Sequence, residues 1–175
     1  MRQKAKNSSS MQYLNVMLTG LRGKKHPALE GIVSAHEVKK SRIHIKMLAG
    51  DYLTLERKSS RLGGSPFCTA CQETPLKIES LKHILIECVG YRETRQRIFL
   101  EYNEVCKLTK SKINFEEICK NDENLTQFIL NPTSFNLNRR VHTNDPALNS
   151  VFKISRDFCF AINSTRMKNI SEKKT

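Results

Sequence analysis

The sequence predicts an all-α fold, and two observations lead to that prediction. Apolar residues recur three and four positions apart in several segments, which is the spacing of one helix face, and capping or helix-ending residues bound these segments. Apart from a few residues around the first pair of cysteines, no useful length of chain alternates apolar and polar residues as a strand would. With 175 residues, the chain is long enough to bury one apolar core. We therefore expect a small helical domain with a cysteine-rich insert.

Two helices are predicted before the insert. The first lies in SMQYLNVMLTGLRG, and its apolar face is formed by Met11, Leu14, Leu18 and Leu21. The second begins at Ser34, three residues before Glu37, in the capping-box arrangement where each side chain satisfies a backbone donor. It ends near Gly50, since glycine readily adopts the left-handed conformation that ends helices. Its predicted face consists of Val38, Arg42, Ile45 and Leu48.

Further helices are predicted after the insert. The first of them has a face formed by Tyr91, Arg95, Ile98, Tyr102 and Val105. Asn114 and Asn121 are each suited to cap a short helix, and the second short helix must end before Pro132. The last helix has Asp145 as its N-cap and Pro146 in its first turn. Its predicted face consists of Leu148, Val151, Phe152, Ser155, Cys159 and Ile162.

The chain is strongly basic, with a net charge of +13. Residues 1–62 hold 13 Lys and Arg against 4 Asp and Glu, so most of the excess lies in the N-terminal third. Positive charge favours polyanions, most often nucleic acid and more rarely an acidic membrane surface, although some basic domains bind neither. No run approaches a membrane span, and the N-terminus lacks the apolar core of a signal peptide. We expect an intracellular protein, in the nucleus, the cytoplasm or both.

The insert CTACQETPLKIESLKHILIEC contains a set of metal-ligand residues with the spacing C-x2-C-x11-H-x4-C. We predict one Zn²⁺ ion, bound by Cys68, Cys71, His83 and Cys88. This closed set leaves no position for water, so the ion is expected to be structural rather than catalytic. Without the ion, residues 66–90 should lose order while the flanking helices survive in part. The alternative is a pair of exposed thiols and a histidine on a helix surface. The remaining cysteines are predicted to be core residues: Cys106, Cys119 and Cys159.

The second half of this set poses a geometric problem. The segment 79–86 has a helical pattern, yet His83 and Cys88 are five residues apart and would differ by about 140° around a straight α-helix. Two such side chains cannot face one ion. We therefore predict that the helix ends or distorts near Glu87, so that Cys88 turns back towards the metal.

The predicted organisation has a connector and two tails around these elements. The segment ERKSSRLGGSP is rich in charge and turn formers and is predicted to be a mobile connector, while both ends of the chain are polar, basic and without periodicity. The boundaries are 1–9 for a disordered tail, 10–55 for basic helices, 56–66 for the connector, 67–90 for the zinc module, 91–165 for the C-terminal helices and 166–175 for a second disordered tail.

Four blocks of this sequence together resemble a known family. They are HPALEGIVSAHEVKKSRIHIKMLAGDYLTLERK, FCTACQETPLKIESLKHILIECVGYRETR, TQFILNPTSFNL and ISRDFCFAIN. In this order, over roughly residues 10–165, they resemble the C-terminal tail of reverse transcriptases from LINE-type (non-LTR) retrotransposons. The resemblance implies that the Cys-Cys-His-Cys set matches that family's metal ligands, and that Tyr91 and Arg95 match the aromatic and basic residues that follow.

The same resemblance implies reverse transcription for a full protein, but the catalytic residues are missing from this chain. A polymerase needs paired aspartates to hold two metal ions, and an RNase H or endonuclease needs a cluster of carboxylates. The candidate aspartates are isolated: Asp51, Asp122, Asp145 and Asp157. We therefore expect no catalytic residue and no small-molecule substrate.

The expected function is binding of nucleic acid. Zinc would hold a small platform, and basic helices would contact phosphates of template RNA or target DNA. Aromatic residues make up 7% of the chain and tryptophan is absent, so the affinity should be mostly electrostatic and steeply dependent on salt. The alternative is a structural domain that docks on the polymerase body or on another protein. The expected phosphate contacts are Lys39, Lys40, Arg42, Lys46, Arg92, Arg95 and Arg97.

Overall fold

The computed structural model describes residues 27–29, 31–71, 75–108, 113–135 and 146–172. The all-α prediction is confirmed: helices dominate, and within these ranges the pairing of extended segments is confined to an antiparallel bridge between Phe67 and Ile78. None of the helices in the described ranges is both long and apolar enough to cross a membrane. The predicted helix at 11–21 and the predicted cap Asp145 lie outside the described residues.

The helices follow one another in a simple order. We number them α1 (Ala35–Leu48), α2 (Leu55–Leu62), α3 (Arg92–Leu108), α4 (Phe115–Ile118), α5 (Asp122–Leu130) and α6 (Pro146–Glu172). Short 3-10 turns lie at Pro27–Leu29, Val89–Tyr91 and Pro132–Phe135, and a π-helical turn lies at His83–Glu87.

Polar side chains begin four of these helices. Ser34 Oγ accepts the Glu37 N–H at 3.2 Å, as predicted, whereas the Glu37 carboxylate accepts from Lys40 instead of completing the capping box. Asn114 and Asn121 cap α4 and α5 as predicted, each accepting a backbone N–H three residues on. Thr54 does the same for α2.

The buried face of α1 is shifted from the predicted one. Val38 is 54% exposed and Arg42 is also exposed, while Leu48 is buried as expected. His44 occupies the core because its Nε2 bonds to the Leu130 carbonyl oxygen at 3.0 Å, which removes the cost of burying a polar ring. Gly50, with a φ of 68°, follows the end of the helix as predicted. The observed buried face consists of Ser41, His44, Met47 and Leu48.

The long helix α6 is the centre of the molecule. It packs against α1 on one side and α3 on the other, and its predicted apolar face is buried throughout. The predicted face of α3 is buried at its first four positions, with Val105 half-buried. Cys106 and Cys159 are buried as predicted, but Cys119 is exposed because it follows the short α4 rather than lying within a helix face.

The cysteine-rich insert is part of the main core. Ile84 and Leu85 are fully buried in the same apolar cluster as Phe128 and Phe158, and Cys88 belongs to it too. The predicted segment 67–90 is therefore continuous with the helical domain.

Two predicted irregular segments are helical. Residues 56–62 of the predicted connector belong to α2, which begins at Leu55 because Thr54 caps it and the Glu79 carboxylate accepts the Leu55 N–H at 2.7 Å. The predicted C-terminal tail is helical as far as Glu172, since α6 continues through it. Burial of Arg166 against Glu79 gives that extension its tertiary support.

Candidate metal centre and basic surfaces

The four predicted ligands converge at one buried point. Their donor atoms all lie within 4.8 Å of one another, and all four side chains are buried. Cys68 Sγ lies 3.7 Å from Cys88 Sγ, and Cys71 Sγ lies 3.5 Å from His83 Nε2. This Cys3His cluster could hold a metal ion, in agreement with the spacing of the sequence.

The first two cysteines are positioned by the bridge between the extended segments. The Cys68 N–H donates to the Lys77 carbonyl at 2.8 Å, which directs the Cys68 side chain inwards. A hydrogen bond from the Cys88 thiol, together with backbone N–H groups of Cys71 and Ala70, lowers the pKa of Cys68 to about 4 despite its burial. The turn between the two cysteines therefore stabilises a thiolate, which is the form that binds metal.

The second pair of ligands is brought together by the π-helical turn. The Cys88 N–H donates to the His83 carbonyl at 2.7 Å, an i to i+5 hydrogen bond, and Cys88 itself leaves the helix with φ −60° and ψ 120°. The predicted distortion near Glu87 is thus confirmed, and its form is a π turn. Such a turn places residues five apart on nearly the same side, so both ligands can face one ion.

Charged side chains lie beside the histidine. His83 Nδ1 lies 3.5 Å from a Glu87 carboxylate oxygen, and Lys82 Nζ lies 3.3 Å from the other oxygen of Glu87. Lys82 also approaches Asp122 and Glu123 at the start of α5. The Glu87 carboxylate lies on the Nδ1 side of the imidazole, where such a group usually supports a metal-binding histidine, while Nε2 faces Cys71.

Arg95 supports this cluster from the first turns of α3. Its side chain is 8% exposed, and Nη2 donates to the Cys88 carbonyl at 2.7 Å. The expectation that Arg95 contacts phosphates is therefore wrong, because its guanidinium is buried beside the metal ligands. Gly90 lies beside the same cluster, where a Cβ atom would come within 2.5 Å of the Ala70 carbonyl oxygen.

A buried ion pair ties the insert to α6, and sequence reasoning missed it. Glu79 is 0% exposed, and its Oε1 accepts from Arg166 Nε at 2.9 Å and Nη2 at 2.7 Å. Arg166 also donates to the Leu53 carbonyl and lies over the Tyr52 ring. Although burial alone would lower the pKa of Arg166, its hydrogen bonds to Glu79 leave that pKa above the usual value. No sequence pattern links residues 87 positions apart.

The predicted basic contacts of α1 divide into two groups. Lys39, Arg42 and Lys46 are exposed and lie along one stripe of the helix, and no ion pair involves them within the described ranges. Lys40 instead bridges Glu37 and Asp157 at 2.8 and 2.7 Å, and these partners raise its pKa. Lys40 therefore links α1 to α6 and is not a free phosphate contact, contrary to the expectation.

The remaining predicted basic residues lie on α3. Arg92 and Arg97 are exposed there, and neither is in an ion pair with any residue that the structure describes. The former connector contributes cations that were not predicted as contacts: Arg57, Lys58 and Arg61 on α2. Their signal was present in the sequence ERKSSRL, but the glycines that follow favoured an irregular segment.

Fold and site together define a helical protein with a buried Cys3His cluster that could hold a metal ion. Comparisons with protein-family models, with curated proteins and with solved structures return no match for this chain.

Proposed function

We propose that this chain is a non-catalytic nucleic-acid-binding segment that contacts phosphates through exposed basic helices and is held together by a structural zinc ion. The observation that carries the proposal is the stripe of Lys39, Arg42 and Lys46, three exposed cations that no acidic side chain of the described residues neutralises. On a chain with a net charge of +13, such a stripe attracts a polyanion, and phosphate contacts account for most non-specific affinity.

Zinc is the metal that the donor set favours. In a tetrahedral site with Zn–S near 2.3 Å and Zn–N near 2.05 Å, two sulfurs lie about 3.8 Å apart and a sulfur and a nitrogen about 3.6 Å apart. The Cys68–Cys88 and Cys71–His83 separations, 3.7 and 3.5 Å, agree with both values. Three thiolates and one imidazole are also a common set for structural zinc.

The closed donor set supports a structural role for the ion. A catalytic zinc keeps one position for water or substrate, whereas four protein donors fill the tetrahedron. What the ion would supply is a fixed link between the turn at Cys68 and the π turn at His83. These two segments come from opposite ends of the insert.

The family resemblance extends this proposal to a biological setting. We infer that the chain corresponds to the C-terminal tail of a LINE-type reverse transcriptase, and that its partner is template RNA or target DNA in the nucleus or the cytoplasm. The Cys-Cys-His-Cys spacing and the order of the four sequence blocks support this inference. Polymerase chemistry would then reside in another part of the parent protein.

A salt titration with matched charge variants tests the binding proposal. We expect RNA and DNA affinity to fall steeply between low and physiological salt. Replacing Lys39, Arg42 and Lys46 by Ser should weaken binding and reduce the slope of log affinity against log salt by about three, one for each lost phosphate contact. A control removes three cations that already pair with neighbouring glutamates, by Lys107→Ser, Lys120→Ser and Lys168→Ser.

The control variant has the same net charge as the stripe variant, so it separates a specific surface from general attraction. Equal losses of nucleic-acid affinity in the two variants would contradict a specific role for the stripe. A wild-type affinity that does not change with salt concentration would contradict the whole proposal. A metal determination on protein purified under reducing, chelator-free conditions tests the zinc separately. Protein without bound metal would overturn that part.

The alternative function is docking on a polymerase body or on another protein. Two exposed leucines on α3, Leu100 and Leu108, favour it, because they offer apolar surface to a partner. If the stripe variant binds nucleic acid as well as the wild type does, docking becomes the better explanation.

A further inference from the structure

One buried arginine lacks the acidic partner that the other buried arginines have. Within the described residues, the buried arginines are Arg95, Arg156 and Arg166. Arg156 lies 3.8 Å from a carboxylate oxygen of Glu37, and Arg166 lies 2.7 Å from one of Glu79. No carboxylate of the described residues forms an ion pair with Arg95. A buried charge is costly unless it is paired, so the guanidinium of Arg95 needs a counter-charge.

The surroundings of Arg95 point to the metal cluster as the source of this counter-charge. Its side chain is 8% exposed, and Nη2 donates to the carbonyl oxygen of Cys88, whose thiol belongs to the Cys3His cluster. Nη1 is buried and has no hydrogen-bond partner among the described residues. Burial lowers the pKa of Arg95, and a negative charge on Cys88 acts in the opposite direction. Because a carbonyl group carries no net charge, the guanidinium still lacks an anion.

The cluster with a metal bound would carry the missing negative charge. Cysteines bind metal as thiolates, and the histidine ligand is neutral. Three thiolates have one more negative charge than a divalent ion neutralises, so the occupied cluster is an anion. All four ligand side chains are buried, so this anion would also lie away from water. A buried anion and a buried cation side by side stabilise each other.

Two other cations near the cluster are less suited to this role. Lys82, which precedes the histidine ligand, already pairs with three carboxylates: Glu87, Asp122 and Glu123. Arg92 lies one turn before Arg95 on α3, but its side chain is exposed, and solvent screens its charge. Arg95 therefore combines burial, contact with a ligand residue and an unpaired charge.

We propose that Arg95 is the counter-ion of the metal centre, where its guanidinium balances the excess charge of three thiolates and so raises the affinity for a divalent metal ion. This proposal rests on the proposed structural zinc. It adds a residue outside the ligand set that determines how tightly the metal binds, and it gives Arg95 a role in place of the expected phosphate contact.

Two substitutions separate the charge of Arg95 from its hydrogen bonding. Arg95→Gln keeps an N–H donor without charge, whereas Arg95→Lys keeps the charge. We expect the Zn²⁺ affinity of Arg95→Gln to fall about 10- to 100-fold, the usual effect of changing a group that supports metal ligands. Arg95→Lys should bind Zn²⁺ nearly as tightly as the wild type does. Competition of the full chain against a chromophoric chelator measures these affinities.

The absorption spectrum of the Co²⁺-loaded protein reports the charge beside the sulfur atoms. Co²⁺ binds the same kind of nitrogen and sulfur site and gives a charge-transfer band from thiolate to metal. A positive charge near the thiolates lowers the energy of the sulfur electrons. The band should therefore move to longer wavelength in Arg95→Gln and keep its position in Arg95→Lys. A change of packing without a change of charge predicts no such pattern.

Arg92→Gln is the matched control. It removes the same charge from the same helix, but Arg92 is exposed, so the Zn²⁺ affinity and the Co²⁺ band should stay those of the wild type. Circular dichroism of the metal-loaded proteins checks that each variant folds. Loss of folding in both Arg95→Gln and Arg95→Lys would show that the shape of the side chain matters rather than its charge, and would overturn the proposal.

The failure of the counter-ion differs from the failure of the proposed zinc. A wild-type protein that binds no metal would overturn both. Wild-type protein that binds Zn²⁺, with an equal affinity in Arg95→Gln, would overturn the counter-ion alone. Equal losses of affinity in Arg95→Gln and Arg95→Lys would mean that Arg95 acts through its hydrogen bond to the Cys88 carbonyl, and the counter-ion would again be wrong.

Discussion

At Gly90 the backbone beside the metal cluster passes so close to Ala70 that no side chain fits. Ala70 lies in the turn between Cys68 and Cys71, and its N–H is one of the groups that stabilise the Cys68 thiolate. A methyl group on residue 90 would come within 2.5 Å of the Ala70 carbonyl oxygen and would push this turn away. Glycine is therefore required by contact here rather than by its backbone angles.

Gly90→Ala should weaken metal binding. Displacing the turn disturbs the hydrogen bonds around the ligands, and changes of that kind lower metal affinity about 10- to 100-fold. Competition against a chromophoric chelator measures the affinity. Val89→Ala, at the adjacent partly exposed position, is the control and should bind metal as the wild type does. Wild-type affinity in Gly90→Ala would show that the turn can move without loss.

Arg166→Met should destabilise the fold strongly. It leaves the fully buried Glu79 carboxylate without its charged partner, and breaking a buried ion pair in this way costs about 3–5 kcal/mol. Lys168→Met is the matched control, because Lys168 lies on the same helix with a largely exposed side chain and should cost less than about 1 kcal/mol. Urea unfolding gives both values.

A partner substitution tests the origin of that cost. Glu79→Gln removes the buried charge, so the double variant should lose much less than the sum of the two single variants. Additive losses would mean that Arg166 stabilises the protein through its contacts with Tyr52 and Leu53 instead.

Among the elements, the π turn is the one that the ligand spacing predicts most directly. Two ligands five residues apart cannot share an ion on a straight α-helix, so the sequence itself requires a distortion. Its form was not predictable, because a π turn and a simple helix end both bring Cys88 back to the cluster. The observed distortion is a π turn, in which the Cys88 N–H donates to the His83 carbonyl oxygen.

Helix starts were predictable where a side chain makes the cap locally. Asn114 and Asn121 satisfy backbone donors three residues away, a relation that can be read from sequence alone. The start of α2 depends in addition on the distant Glu79, and the buried face of α1 depends on the bond between His44 and the Leu130 carbonyl. Contacts between distant segments leave no periodic signal, which is why α2 and the buried face of α1 were mispredicted.

Asn121→Ala should lower the free energy of unfolding by about 1 kcal/mol, the usual value of an N-cap. The loss should affect the whole domain because α5 buries Phe128, Ile129 and Leu130 in the core. Asn124→Ala is the control: Asn124 is exposed at the start of the same helix, so this change should be neutral or slightly stabilising. Thermal unfolding followed by circular dichroism compares the two, and equal stabilities would contradict the capping role.

For the molecule as a whole, the main correction is that the cysteine-rich insert shares the apolar core of the helical domain. Sequence reasoning identified the four residues of the Cys3His cluster and the helical class, but it treated residues 67–90 as a module between separate sets of helices. In the structure Ile84 and Leu85 share one core with Phe128 and Phe158. Independent modules and a shared core give the same local pattern, so only the packing distinguishes them.

Removing the metal should therefore unfold more than the insert. Without the ion, the three cysteines and His83 lose their common partner, and the displacement of Ile84 and Leu85 opens the core that α3, α5 and α6 share. Hydrogen exchange after chelation should reveal lost protection in α3 and α6 as well as in residues 66–90. Loss confined to the insert would support the earlier expectation that the flanking helices survive.

The pairing of Glu79 with Arg166 also sets an order of events during synthesis. On the ribosome, the four metal ligands and Glu79 emerge well before residue 166 has been made, so an early cluster would enclose a carboxylate that has no counter-ion. Closing the core around Glu79 at that stage would bury a carboxylate without a charged partner, which is costly. We therefore expect the core to close only after the last turns of α6, which carry Arg166, have been translated.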